Sequence, residues 1–154
     1  MEPARAAEPS DVPVLVELAR ALREELRDQR GGALWVTREA RPEPHEATLG
    51  ALLGRDDASI VVGTIDGTIV GFGTVEIETL RDGSRLGIIG DLFVEREARA
   101  VGVGESIAEV IVTFCRAAGC LGIDAYALPG ARDAKNFFER SGFTARALVM
   151  HHKL

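Results

Sequence analysis

The sequence is poor in cysteine and has no excess of basic residues, and each shortage excludes a class of protein. Its only two cysteines, Cys115 and Cys120, lie five positions apart without CxxC spacing or neighbouring histidines. We therefore expect no metal site and read both cysteines as core residues. The net charge is -6, with 18 scattered basic residues. A nucleic-acid or anionic-membrane partner is accordingly not expected.

Long hydrophobic runs and the common nucleotide motifs are also missing. No apolar run approaches the roughly 20 residues that span a bilayer. The N-terminus is polar and acidic, where a signal peptide is basic and then apolar, so we expect a cytoplasmic protein. Neither GxxxxGK[ST] nor GxGxxG occurs, which disfavours a nucleoside triphosphatase and a dehydrogenase.

The residues that are present favour one α/β domain over 1–154. The chain is 46% hydrophobic and 27% charged, as expected for a single core. Ser10 and Asp11 precede helical apolar spacing over 13–28. Glycines and prolines predict a loop over 31–44, and a short helix follows over 46–53.

Strands dominate the middle of the chain. Residues 59–65 and 68–77 flank Asp66-Gly67, the pattern of a β-hairpin. An almost wholly apolar run over 86–94 suits a central strand covered on both faces. Further spacing predicts a helix from Val103 to Gly119, a strand over 121–126, a helix over 131–141 and a last strand over 144–152.

The segment from Asp91 to Ile107 carries the most chemical information, because a buried strand leads through a short loop into a helix. The first N–H groups of a helix lack intrahelical partners and lie at the positive end of its dipole, which suits a phosphate. Gly102 and Gly104 allow close approach, and Arg99 can add a charged hydrogen bond. The alternative is a simple strand-to-helix turn with a solvated arginine.

Arg99-x-x-Gly102-x-Gly104, preceded by the strand residues 91–94, resembles the acetyl-CoA motif of the GNAT superfamily. The entry to the first helix, residues 7–11, and the block from Ala134 to Phe143 are similar to that family too, so the resemblance covers nearly the whole chain. It implies a mixed central sheet with splayed central strands, flanked by helices. It also implies acetyl-CoA as co-substrate, an acceptor amine on a small molecule or a peptide and, as in many members, a homodimer.

The resemblance implies a role for particular residues. Phe93 and Val94 would pair their backbone with the pantetheine arm, and a backbone N–H near Leu92 would bind the thioester oxygen as negative charge develops. The pyrophosphate would be cradled by the loop and first helical turn, that is by Arg99, Ala100, Val101, Gly102, Val103, Gly104 and Glu105.

Asp91 is the leading candidate for the general base, because it is the only charge inside the apolar central strand. The alternative is a carboxylate that binds substrate or a structural partner. Glu76 and Glu78 are weaker candidates. Trp35 is placed either against the acceptor pocket or in the core.

The sequence departs from the family at the position of its usual acid. The tyrosine that protonates the leaving thiolate is replaced here by Phe138, which we still place at the cofactor, and a frequent asparagine is replaced by Ala131. Tyr126, the only tyrosine, is the substitute candidate, with simple packing as the alternative.

The sequence thus predicts an N-acetyltransferase in which acetyl-CoA and a primary amine react directly in a ternary complex. The runner-up is a catalytically weak module that binds acyl-CoA as a sensor or interaction domain, which Phe138 and Ala131 motivate. A structural dimerisation domain without cofactor is a third reading, which the glycines and Arg99 argue against.

Overall fold

A computed structural model describes all 154 residues. Five strands and five helices follow one another along the chain. In order they are β1 (Arg5–Ala6), α1 (Val12–Arg27), α2 (Gly32–Arg38), α3 (His45–Leu53), β2 (Ala58–Ile65), β3 (Thr68–Thr79), β4 (Arg85–Val94), α4 (Val103–Ala117), β5 (Cys120–Ala125) and α5 (Arg132–Arg140). No helix combines the length and the apolar character needed to cross a membrane.

The strands form one mixed sheet in the order β1-β2-β3-β4-β5. The first four are antiparallel, whereas β5 runs parallel to β4. The pairing of β4 with β5 stops at Ile89 and Ala125. Because β4 continues to Val94, its last five residues, 90–94, have a neighbour on one edge only. The predicted splay between central strands is therefore present.

A β-bulge marks the point where the splay begins. Val75 pairs with Ile89 and Thr74 with Asp91, so Gly90 is left without a partner in β3. The extra residue reverses the side-chain alternation of β4. Ile89 accordingly packs on the α4 side of the sheet, whereas Phe93 packs on the α1 side.

Two apolar clusters cover the two faces of the sheet. One joins α1 and α3 to β2 and β3 around Leu15, Leu49 and Phe72, which are fully buried. The other places α4 on the opposite face through Ile107 and Ile111. This arrangement follows from the apolar stripes of α1 and α4, each of which buries one side of its helix.

Most predicted elements are confirmed to within a few residues, including the hairpin. Asp66 and Gly67 both adopt positive φ, 50° and 78°, as the two-residue turn requires. The strand Arg5–Ala6, which pairs with β2, is too short to leave a periodic pattern.

Two predictions of secondary structure are wrong. Residues 32–38 form α2 and not a loop. Gly31 supplies a left-handed N-cap, and Gly32 packs on the end of α1 where a Cβ would lie 1.9 Å from the Leu26 carbonyl oxygen. The strand over 144–152 is absent, because these residues pair with no strand and are all exposed.

Candidate active site

A cleft of about 640 Å³ opens where β4 separates from β5. Residues 89–94 of β4 form one wall, and residues 126–128 with α5 form the other. The C-terminal half of α1 and Trp35 close one side, and the loop before α4 closes the opposite side. Most of the residues singled out in the sequence therefore meet at one place. The exceptions, which do not line the cleft, are Val101, Gly102 and Val103 of the predicted cofactor loop and the weaker base candidates Glu76 and Glu78.

The open edge of β4 turns particular backbone groups into this cleft. The Glu95 N–H donates to the Val70 carbonyl oxygen of β3 at 2.8 Å. Since backbone groups alternate in direction along a strand, Phe93 is directed at β3 as well, whereas Leu92 and Val94 are directed away from it. The geometry therefore supports Leu92 and Val94 as the residues whose backbone could bind a ligand. The backbone of Phe93 faces its partner in β3 and not the cleft.

Six consecutive N–H groups, in the loop before α4 and in its first turn, have no acceptor at ordinary hydrogen-bond geometry. None of the backbone N–H groups of residues 100–105 donates a hydrogen bond of ordinary geometry; the first that does belongs to Ser106, which donates to Gly102. Ala100 and Gly102 both have positive φ, 68° and 95°. Left-handed residues build the concave N–H arrangements that bind anions, and a non-glycine residue in this region costs on the order of 1 kcal/mol.

Gly104 also allows the close approach of a second helix, a contact that the sequence does not reveal. A Cβ at this position would lie 3.1 Å from Cε1 of Phe137 in α5. The Phe137 ring stacks edge-on with Phe138, which in turn packs on Phe143. The first turn of α4 is thus in contact with the aromatic cluster of α5, and Phe138 lines the cleft as part of that cluster.

Arg99 lies beside the N–H groups but is already engaged. Its Nη2 contacts both carboxylate oxygens of Glu25 in α1, at 2.9 and 3.0 Å, and its Nε donates to the Val94 carbonyl oxygen at 2.8 Å. The guanidinium also lies 5.5 Å from the centre of the Phe93 ring. An anion that recruits Arg99 would therefore compete with Glu25.

Asp91 is buried and paired with a cation. Its Oδ2 accepts hydrogen bonds from Nε of Arg41 at 3.0 Å and from Nη2 at 2.5 Å, and from the Thr74 hydroxyl at 2.7 Å. The side chains of Arg41 and Asp91 are only 11% and 4% exposed. This contact supports the structural alternative for Asp91, and the general-base role stays a prediction.

Tyr126 and Trp35 also reach the cleft. Tyr126 follows β5 and is 68% exposed, so it is not held by packing. Trp35 lies in α2, is partly buried against the α1 cluster and lines the cleft. The core reading of Trp35 is therefore supported, whereas its place against the acceptor pocket and the acid role of Tyr126 stay predictions.

Sequence reasoning missed three residues that shape the site. Arg41 lies 50 positions from Asp91, and Glu25 lies 74 positions from Arg99. Phe137 reaches Gly104 from a different helix. No local spacing indicates these contacts; the only available signal was that a buried carboxylate in a central strand requires a cation.

The chain was then compared with known proteins. The model of the Acetyltransferase (GNAT) family matches residues 17–143. The chain belongs to the GNAT family. A comparison with curated protein sequences finds no significant match.

Solved structures of GNAT type share the fold at low sequence identity. A variant of the BH1408 protein from Bacillus halodurans with four substitutions has a TM-score of 0.83 and 19% sequence identity, and the match covers 98% of this chain and 99% of that chain. An acetyltransferase from Trypanosoma brucei has a TM-score of 0.67 and 23% sequence identity, and the match covers 98% of each chain. Glucosamine-6-phosphate N-acetyltransferase from Arabidopsis thaliana has a TM-score of 0.69 and 24% sequence identity, and the match covers 97% of this chain and 96% of that chain.

Membership of the GNAT family fits the features of the cleft. The family generally uses acetyl-CoA, and a diphosphate anion is the kind of group that the unpaired N–H groups of residues 100–105 can bind. No group of three or more His, Cys, Asp or Glu side chains is arranged to hold a metal ion. The residues present therefore fit the co-substrate of the family.

Proposed function

We propose that this GNAT protein is an N-acetyltransferase that transfers the acetyl group of acetyl-CoA to a primary amine. The observation that carries the proposal is the row of unpaired N–H groups over 100–105, which lies beside the open edge of β4. Both features leave backbone hydrogen-bonding groups for a ligand with an anionic end and an amide-containing arm. Bound acetyl-CoA supplies an activated acyl group with a thiolate as leaving group.

The protein's contribution to the reaction is first of all positioning. The N–H groups of residues 100–105, with Arg99 at their side, hold the pyrophosphate. The outward-directed N–H of Val94 orients the pantetheine arm, and the Leu92 N–H stabilises negative charge on the thioester oxygen. The splay leaves these groups unpaired within the sheet, so a ligand can use them without breaking the ladder.

The amine must be neutral when it attacks, and the leaving thiolate takes up a proton. No side chain in the cleft is a conspicuous covalent nucleophile, which supports direct attack by the amine. Tyr126, which is exposed and lines the cleft, is the candidate that donates this proton. Arg41 and the Thr74 hydroxyl already bind Oδ2 of Asp91.

Isothermal titration of acetyl-CoA and desulfo-CoA tests the cofactor site. We expect the wild type to bind both and Gly104→Glu to bind neither, because the variant places a negative charge where the pyrophosphate lies. Gly104→Ala is the matched control: it makes the same first contact with Phe137, 3.1 Å away, without the charge, and we expect it to keep most of the affinity. A folded wild type that binds neither ligand would overturn the proposal.

A catalytically weak acyl-CoA-binding module is the second candidate, and one observation favours it. The position of the family's usual acid holds Phe138, whose ring packs on Phe137 and Phe143 with no proton to give. Release of CoA thiol on addition of a panel of primary amines distinguishes the two. If the wild type binds acetyl-CoA but releases no more CoA thiol than Tyr126→Phe does, the result would favour the module.

A further inference from the structure

Two segments that line the cleft from different sides touch each other: residues 29–31, between α1 and α2, and residues 128–130, after β5. A Cβ at Gly130 would lie 3.3 Å from the backbone nitrogen of Arg30. A Cβ at Gly31 would lie 3.7 Å from the nearest side chain of the second segment. Both glycines therefore allow a close approach. We call this contact the bridge.

The bridge crosses the part of the cleft that the cofactor does not use in the proposed function. The cofactor groups lie along β4 and over 100–105, whereas the bridge joins the end of α1 to the loop after β5. A lysine of a protein or peptide brings its own backbone to the site. Such an acceptor could lie across this part of the cleft only if the two segments separated.

The wall beside the bridge is mainly apolar. Leu22, Leu26 and Trp35 line it from α1 and α2, and Leu128 lines it from the opposite segment. Gln29 is the only uncharged polar residue that α1, α2 and their connection contribute to the cleft. The part of an acceptor that contacts this wall is therefore apolar.

No carboxylate on this wall is free to bind a second cationic group. Four carboxylates line the cleft, those of Glu25, Asp91, Glu105 and Asp133. Glu25 binds Arg99 at 2.9 Å and Arg96 at 3.1 Å, and Asp91 binds Arg41 at 2.5 Å. The other two lie in the first turns of α4 and α5, not on the wall that α1 and α2 form. A second ammonium group would here lose hydration without gaining a counter-charge.

We propose that the acceptor is a small primary monoamine with an apolar body, and that the closed bridge excludes lysine side chains of proteins and peptides. The inference rests on the proposed function, because it assigns the second substrate of the same site. Tyr126 lines the cleft and is exposed, so the cleft is open to solvent there while the bridge stays closed. The net charge of -6 would by itself favour a polyamine, but the paired carboxylates oppose one.

Release of CoA thiol with matched acceptors tests the substrate class. The acceptors are hexylamine, phenethylamine, hexamethylenediamine and a peptide with one internal lysine and a blocked N-terminus. We expect kcat/KM for hexylamine to exceed that for hexamethylenediamine, of equal length, by about tenfold or more, and no transfer to the peptide. Equal or faster transfer to the diamine or the peptide would overturn the inference.

The cofactor titration separates the two levels of the argument. A protein that binds acetyl-CoA but acetylates neither monoamine would overturn the substrate assignment and leave the cofactor site standing. A protein that does not bind acetyl-CoA would overturn the proposed function itself.

A reversible lock tests whether the bridge stays closed during turnover. A Cβ at Gly130 would lie 3.6 Å from Cβ of Arg30, within the range of about 3.5–4.5 Å that suits a disulfide. We expect Arg30→Cys/Gly130→Cys, oxidised with glutathione disulfide, to acetylate hexylamine within about twofold of the same variant reduced with dithiothreitol. Arg30→Cys alone controls for oxidation of the native thiols.

Two results of the lock would contradict the inference. Loss of turnover on oxidation, restored by reduction and with CoA binding unchanged, would mean that the bridge must open to admit the acceptor. A pair of cysteines that forms no disulfide would mean that the two segments lie apart in solution, so that the cleft is not closed.

Discussion

Replacing Asp91 by asparagine removes the charge that neutralises Arg41 but keeps the size of the side chain. Both side chains are nearly buried, at 4% and 11% exposure. Removing one partner of such a pair typically costs about 3–5 kcal/mol, because the other charge stays buried without compensation. At about 2–4 °C per kcal/mol for a chain of this size, Asp91→Asn and Arg41→Met should each lower the melting temperature by roughly 6–20 °C.

The double variant Arg41→Met/Asp91→Asn separates the two roles considered for Asp91. It contains neither charge, so most of the lost stability should return, and the two changes should be strongly non-additive. Acetyl transfer is then compared at a temperature where all variants are folded. If Asp91 only neutralises Arg41, activity recovers together with stability. If Asp91 is the general base, activity stays about 10²-fold or more below that of the wild type.

Thermal unfolding and CoA-thiol release provide the two measurements. The reasoning is refuted if Asp91→Asn unfolds within 2 °C of the wild type, about the least shift that 1 kcal/mol gives, because the pair would then contribute little. It is also refuted if the double variant is less stable than both single variants. Thr74→Val is a useful comparison, because it removes the hydroxyl that donates to Asp91 and accepts from Nη2 of Arg41 but keeps both charged side chains.

Three further results are expected. Glu25→Gln should tighten CoA binding two- to fivefold by titration, about 0.5–1 kcal/mol, because Arg99 is released; unchanged or weaker binding contradicts this. The hydrogen bond from Arg5 holds the pKa of Asp11 below its ordinary value. The stability that this contributes is present above the unfolded-state pKa and lost as pH falls through the folded value, so Asp11→Asn should flatten acid unfolding below about pH 4. Burial raises the pKa of Cys115 to about 12, so mass spectrometry should find it unalkylated at pH 8 until the protein unfolds.

The elements that could be predicted are those whose signal is local. The Asp66-Gly67 turn depends on the positive φ of two adjacent residues, and the stripe of α4 depends on spacing within one helix. The cofactor loop was found for the same reason, since its glycines and the following helix are contiguous. The prediction of a loop was wrong for residues 32–38, because a Gly-Gly pair occurs equally in a loop and at the start of a helix packed tightly against the preceding one.

The contacts that could not be predicted join distant parts of the chain. Arg41 meets Asp91 only because the loop between α2 and α3 passes over the splay, and nothing near either residue encodes that path. The pair of Glu25 with Arg99 likewise depends on how α1 crosses the sheet. Composition identified 144–152 as strand-like, but whether such a segment pairs depends on an edge being available to it.

The unpaired Gly90 also limits how the length of this protein can vary. Deleting that one residue would restore regular alternation in β4, so the residues after it would exchange faces as a set. Asp91 would turn away from Arg41 towards the apolar α4 side, and Phe93 would leave the α1 cluster. Loops elsewhere can gain or lose residues with modest cost, but β4 must keep its number of residues as strictly as its composition. Relatives that carry this site are therefore expected to differ in loop length and to show no gap opposite residues 86–94.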